Sequence, residues 1–238
     1  MYVIKLGGSA ITDKTRPHTY RRGKVLNVAR ELRGRPAALI HGGGSFAHPH
    51  VRAFGLTGLG IALTKAALRR LTAYVVEELA EGGIAAMPIE PSEIFWGGRL
   101  ARLEVITHAI SHDLYPLLHG DIVPTDGGYM VLSGDDIAVE LAKALRPRAV
   151  VFLMEVDGIY TAPPGSPNAV KIGKIAGEIS IEGTGGVDVT GGVRKKVAAG
   201  LEIAGLGVPA FYCSIDDRES LRAILAGGEA AGCTQVIP

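Results

Sequence analysis

"IHGGGSFAHPHV" (Ile40–Val51) joins an apolar run to three consecutive glycines, then to Ser45 and two histidines, His48 and His50. A short apolar run ended by glycines reads as a buried strand entering a tight loop. Glycine permits positive φ and lets the backbone approach an anion closely, so a loop of this kind suits phosphate. His48 would add a hydrogen-bond donor to phosphate and, when protonated, a positive charge. A lone histidine is more often a satisfied structural or surface residue. The glycines and Ser45 lift His48 above that expectation, whereas His50 stays within it.

The same device recurs along the chain. "YVIKL" reads as a first buried strand, and "KLGGSAITDK" (Lys5–Lys14) puts Lys5 at its end, ahead of Gly7, Gly8 and Ser9. A strand-ending lysine beside exposed backbone amides can neutralise phosphate charge; the alternative is a solvated lysine at an ordinary turn. The lysine precedes the glycines, so this is not a Walker A loop. In "DVTGGVRKKV" (Asp188–Val197), Gly191 and Gly192 sit at the start of a helix expected from near Thr190. The adjacent Lys195 and Lys196 point about 100° apart on that helix, so both cannot face one site. "SGDD" (Ser133–Asp136) lies at another strand-to-helix junction, where the acids either cap the helix or serve a site. "MEVDGIYT" places Glu155 and Asp157 where a carboxylate could orient lysines or a metal, or simply form a charged turn.

Between these motifs the hydrophobic pattern alternates in period. Helices are expected over Arg22–Leu32, through "LTKAALRRLTAYVVEELAEGG", over "THAISHDLYPLLHG" to Gly120, and from "DDIAVELAKAL". Strands are expected at "PAALIH", "IAAMPI", "AVVFLMEV", "PAFYCS" and "TQVI", with "AVVFLMEV" apolar enough to be central. "GDIVPTDGGYMVLSGDD" reads as an inserted β-hairpin turning at Asp126–Gly128. The implied fold is a three-layer αβα sandwich on a mainly parallel sheet. One domain over residues 1–238 is expected, with lobes of about 1–145 and 146–238 meeting at the carboxyl ends of the strands.

The bulk numbers narrow the partners. The chain has 238 residues, 47% hydrophobic and 21% charged, with formal net charge +1. That charge gives no global basic field for nucleic acid and favours a small anionic substrate. There is no signal-peptide pattern and no apolar run long enough to span a membrane, so a cytoplasmic location is expected. Cys213 and Cys233 lack zinc-ligand spacing and are expected to be reduced and structural.

Taken in order, "KLGGS", "HGGGSFAHP", "SGDD", "VDGIYT" and "DVTGGVRKK" resemble the amino acid kinase superfamily over nearly the whole chain. The histidine three residues after the loop serine, in "GSFAH", resembles the isopentenyl phosphate kinases within it; Gly43 and Ala47 are small departures from their usual loop. The resemblance implies that ATP with Mg²⁺ donates a phosphoryl group to the phosphate of isopentenyl phosphate, in a homodimer. By motif, His48 would bind the acceptor phosphate with Gly43, Gly44, Ser45 and Gly134. Lys5, Gly8, Ser9, Lys14, Asp157, Gly191, Gly192 and Lys196 would bind ATP, with Lys5, Lys14, His48 and Lys196 carrying the chemistry. The superfamily lysine follows the second glycine by four residues, which selects Lys196 over Lys195. Glu155 stands where related kinases commonly have aspartate. A tail pocket is expected between Phe54 and Ala86 and around "MPIEPSEIF", with Tyr74, Met87, Ile89 and Ile94 as candidates. The resemblance also admits a kinase for a small phosphonate, or a non-catalytic nucleotide-binding regulator.

Overall fold

The computed structural model describes residues 1–176 and 191–237. In chain order the first half holds β1 (Tyr2–Leu6), α1 (Gly8–Ile11), α2 (Lys24–Leu32), β2 (Ala37–His41), α3 (Gly44–Phe54), α4 (Gly58–Glu81), β3 (Ala86–Pro88), α5 (Pro91–Ile94), β4 (Phe95–Trp96) and β5 (Arg99–Leu100). It continues with α6 (Leu103–Ser111), β6 (Tyr115–His119), the hairpin β7 (Asp121–Thr125) and β8 (Gly128–Leu132), and α7 (Gly134–Leu145). The rest comprises β9 (Val150–Met154), β10 (Ile159–Tyr160), β11 (Lys171–Ile172), β12 (Lys174–Ala176), α8 (Gly191–Gly205), β13 (Ala210–Ser214), α9 (Arg218–Leu225) and β14 (Thr234–Ile237).

Eight strands form one sheet in the order β12-β14-β13-β9-β1-β2-β6-β3. Every pairing in it is parallel except β13 with β14. β9 and β1 lie side by side at the centre, and all their residues are buried, as near-continuous apolar runs require of a doubly covered sheet. The pleat sends Ile4, Leu6 and Val151 to one apolar layer and Val3, Val150 and Phe152 to the other. Helices α2, α4 and α9 close the first layer, whereas α6, α7 and α8 close the second. This is the expected αβα sandwich with its inserted hairpin. The helix expected from Thr190 is seen from Gly191 onward; Thr190 and Asp188–Val189 lie outside the described residues.

Three local expectations change. "THAISHDLYPLLHG" is not one helix: α6 stops at Ser111, Asp113 takes φ 57°, and Tyr115–His119 becomes strand β6. Pro116 explains this, because it disfavours helical backbone at the preceding residue and removes a donor, while Leu117–His119 pair with Leu39–His41.

The stretch after the three glycines is not an open loop. It is α3, with Pro49 inside the helix. Proline cannot donate to the carbonyl four residues back, and that carbonyl, Ser45 O, instead accepts from the amide of His18 at 3.1 Å. The strap from Asp13 to Thr19, closed by the Thr12–Tyr20 bridge, is thereby stitched to α3.

Third, Cys213 and Cys233 are disulfide-bonded rather than reduced. Antiparallel pairing of β13 and β14 aligns Tyr212 with Thr234, which sets the next residues, Cys213 and Cys233, opposite each other with Cα atoms 4.5 Å apart. That separation suits a bridge between directly facing strand residues. The 20-residue separation, filled by α9, hides this proximity in the sequence.

Candidate active site

The carboxyl ends of β1 and β9 open into a cleft of about 290 Å³ lined by Lys5, Gly8, Ser9, Lys14, Val193 and Lys196, with the 154–164 segment as its far wall. Three of the predicted lysines therefore converge, although they come from a strand, a strap and a helix. Lys195 does not join them; it is exposed and pairs with Asp136 at 2.8 Å.

The convergence is organised by Asp135. Its Oδ1 accepts from Lys5 Nζ at 2.8 Å and its Oδ2 from Lys196 Nζ at 3.0 Å. The two readings of "SGDD" divide between its acids. Ser133 and Asp136 form a reciprocal capping box at the start of α7, whereas Asp135, which lies between them in sequence, is buried and holds the lysines. Gly134 makes the approach possible, since a Cβ there would lie 3.3 Å from both Lys5 Cε and Ile40 Cγ2.

Lys5 is nearly inaccessible to water, at 6% exposure, and burial pushes its pKa from 10.5 to about 8 against the pull of Asp135; Lys196 lowers it further. Two pH effects follow with opposite sense. Between about 8 and 10.5 the unfolded chain holds a proton on this lysine that the folded chain has lost, so this group makes stability rise with pH across that window. The cationic charge in the cleft is meanwhile lost as pH climbs through about 8. If that charge serves a phosphoryl group, kcat/KM, which reports the free enzyme, should fall above pH 8. The kcat limb should lie at higher pH, because bound phosphates favour the ammonium. A pH–rate series from 6 to 10 checks both limbs, and a kcat/KM profile flat through pH 9 would contradict the assignment.

The two glycine loops are pressed together, backbone on backbone. A Cβ on Gly8 would fall 2.6 Å from Gly44 N, and one on Gly42 would fall 2.6 Å from Gly8 N. Gly44 has φ 47°, and a Cβ there would collide with Thr12 Oγ1. Thr12 fastens the pair, donating to Gly8 O at 2.7 Å and accepting from Ser45 N at 3.0 Å. Ser45 is consequently committed: its amide serves Thr12, and its hydroxyl meets the backbone of Thr19. The amides of Gly8 and Ser9 on one side, and Gly43 and Gly44 on the other, donate to no group among the described residues. They form two adjacent sets of free donors.

His48 stands exposed on α3, one turn from Arg52 and near Lys14. Partial shielding of its ring, followed by the charges of Lys14 and Arg52, holds its pKa below the usual imidazole value. It is therefore a neutral hydrogen-bond donor near pH 7 rather than a fixed charge. His41, first of the three histidines in the opening stretch, has another job: it is buried, bonded to Thr72 Oγ1 at 2.9 Å, and pushed down to about 3.

The carboxylates after β9 do not organise the lysines. Glu155 is exposed and pairs with Arg21 at 2.7 Å. Asp157 accepts from Tyr160 at 2.6 Å and pairs with Lys171 at 3.0 Å, so it acts on the cleft through Tyr160, which lines it. Gly191 and Gly192 open α8 five and four residues before Lys196. The expected tail residues separate: Tyr74 stacks on Tyr20 outside the first apolar layer, while Ile89 and Ile94 belong to the second. Ile89 borders a second cavity of about 400 Å³ with His119 and Glu90. There Glu90, His119 and Asp121 bring potential metal ligands within 4.8 Å of one another, but Lys65 already supplies a cation, bonding both Asp121 oxygens and Ser92.

Sequence reasoning missed Thr12 and left Asp135 undecided. A lysine at a strand end with no nearby acid in sequence was the available signal for Asp135. For Thr12 there was none, because its partners are backbone atoms of two distant loops.

Residues 1–213 match the family model described as the amino acid kinase family. The chain is 32% identical to the isopentenyl phosphate kinase of Thermoplasma acidophilum, covering 82% of this chain and 84% of that one. It is 30% identical to the isopentenyl phosphate kinase of Methanocaldococcus jannaschii, again over 82% and 84%. A crystal structure of an isopentenyl phosphate kinase substrate complex superposes with TM-score 0.86 and 27% identity, covering 99% of both chains.

Proposed function

The chain belongs to the amino acid kinase family, and from that premise we propose that it is an ATP-dependent isopentenyl phosphate kinase, a cytoplasmic homodimer. An oxygen of the acceptor phosphate attacks the γ-phosphorus of ATP, the bond to the β–γ bridging oxygen breaks, and isopentenyl diphosphate and ADP leave. The N-terminal lobe to about residue 145 takes the acceptor, and the remainder takes the nucleotide.

The observation that carries this reading is the pair of abutting glycine loops, one lining the lysine cleft and the other opening α3, which carries His48. Reaction between two phosphates needs no covalent nucleophile and no strong base. It needs two mutually repelling anions held in line, with the charge that develops between them neutralised. Lys5 and Lys196, tethered to one carboxylate, are positioned rigidly for that task, and Lys14 reaches in from the strap. Free amides of Gly8 and Ser9 face the donor and those of Gly43 and Gly44 the acceptor. His48 grips the acceptor phosphate as a donor, not as a base.

Among the described residues, the cleft offers Mg²⁺ few protein ligands. Glu155 is the carboxylate among its lining residues, and Arg21 holds it. These residues therefore fit an ion that arrives on the nucleotide's phosphates, where it would neutralise charge on the transferring group.

Acceptor profiling with Mg-ATP tests the proposal. Turnover of isopentenyl phosphate is expected; turnover of acetylglutamate, UMP or a small phosphonate without it would reject the reading, and nucleotide binding with no transfer would favour a regulatory module. Within the same assay, His48→Ala removes one hydrogen bond to a charged group, so acceptor KM should rise roughly 10- to 100-fold. KM for ATP should stay nearly unchanged. Equal loss for both substrates would remove His48 from the acceptor side. Light scattering on the purified protein checks the dimer.

A further inference from the structure

Two imidazoles lie beside the phosphate site without a part in transfer. His18, on the strap, and His50, on α3, have ring centroids 5.0 Å apart with planes tilted by 51°. His18 Nδ1 and His50 Nε2 are both closed off from solvent, and neither has a hydrogen-bond partner among the described residues. Buried polar atoms of this kind are rare, and each calls for an account. Two of them on adjoining metal-ligating rings call for a shared one.

The pair is built rather than accidental. The carbonyl that Pro49 leaves without its helical donor accepts from the His18 amide, fixing the strap to α3 five residues before His50. Thr19 N adds a bond to Ser45 Oγ, and Phe46 meets the His18 ring edge-on at 5.3 Å. His18 itself holds φ 54°, a left-handed conformation that residues other than glycine adopt infrequently and that concentrates at functional sites.

We propose that His18 and His50 form a binding site for a transition-metal cation of the Zn²⁺ or Ni²⁺ class, with water completing the coordination. Imidazole nitrogen is the ligand such ions favour. Two imidazoles on one tetrahedral ion, each with a metal–nitrogen distance of about 2.0–2.1 Å, place their ring centres about 5 Å apart. An ion there would clamp the strap that carries Lys14. The inference does not depend on the identity of the acceptor.

The chain has a rival pair, His108 and His112, exposed one turn apart at the end of α6 with ring centroids 4.3 Å apart. The experiment must separate the two. Tag-free protein, stripped with EDTA and dialysed, is titrated with ZnCl₂ by calorimetry as wild type, His18→Ala, His50→Gln and His108→Ala. A one-to-one event is expected that weakens at least tenfold in His18→Ala and in His50→Gln and persists in His108→Ala. In parallel, Zn²⁺ should raise the thermal midpoint of the wild type and of His108→Ala, but not of either variant at the proposed site. Should His18→Ala fail to fold, His50→Gln alone decides. No event in the wild type, an event indifferent to His50→Gln, or one lost only in His108→Ala would each overturn the site.

Discussion

Lys5→Met is expected to lower kcat roughly 10²- to 10³-fold, the range seen when a preorganised donor to a transition-state oxyanion is removed. Methionine keeps the length and the packing against Gly134 but removes the charge that the folded chain carries at 6% exposure. A water-exposed lysine could be replaced by solvent or a mobile neighbour. Lys5 cannot, because its ammonium is fixed by Asp135 and its surroundings exclude water. KM for ATP should change much less than kcat if the ammonium acts mainly on the group in flight. The change should not unfold the protein. Asp135 retains Lys196 as its counter-charge, so the carboxylate is not left buried and unpaired, which is what makes removing one partner of a buried pair costly. Steady-state kinetics with a parallel melting curve decides the matter. A kcat within tenfold of wild type, or a loss explained by unfolding, would remove Lys5 from the transferring phosphoryl group.

The second large effect concerns stability. Converting both Cys213 and Cys233 to serine releases a loop spanned by a 20-residue separation. The chain-entropy argument gives about 3 kcal/mol for a loop of that size. For a protein of this length, that corresponds to a fall in thermal midpoint of about 6–12 °C. The bridge joins β13, inside the sheet, to the entrance of β14, its antiparallel neighbour; α9 packs beside it. Loss should therefore loosen the β12–β14–β13 edge more than the β1–β9 centre. Calorimetry on the double variant, and on wild type with and without reductant, tests the magnitude. Hydrogen exchange tests the location. An unchanged midpoint would mean that the bridge contributes nothing beyond the packing of two small apolar side chains.

Much of the architecture was legible because its signals are local. β1, β2 and β9 are apolar runs ended by glycine or charge, α4 and α7 show helical spacing, and the hairpin carries Asp126–Gly127–Gly128. Where the reading failed, a distant contact decided. Tyr115–His119 has enough leucine to pass for helix, and Pro116 together with pairing to β2 makes it strand. Cys213 and Cys233 face each other only once β14 turns antiparallel. At the cleft, the glycine motif pointed to Lys5, and the family resemblance to Lys14 and to Lys196 over Lys195, yet nothing local distinguished Asp135 from Asp136. Their roles separate because one projects toward Lys5 and the other folds back onto Ser133. Ser45 shows the converse: a serine in a phosphate-type loop invites a ligand role, while its amide and hydroxyl are spent on Thr12 and Thr19.

The contact between Gly8 and Gly44 also bears on how such a protein can change over time. Neither loop has room to accept even one methyl group without displacing the other's backbone. Mutational drift at positions 8, 42 and 44 is thus blocked unless compensating shifts arise together, which single substitutions cannot deliver. Diversification toward new acceptors has to proceed through α4 and the hairpin, which leave the loops untouched. A library randomised at those peripheral elements should yield folded, active variants, whereas one randomised at the three glycines should return almost only the parent sequence.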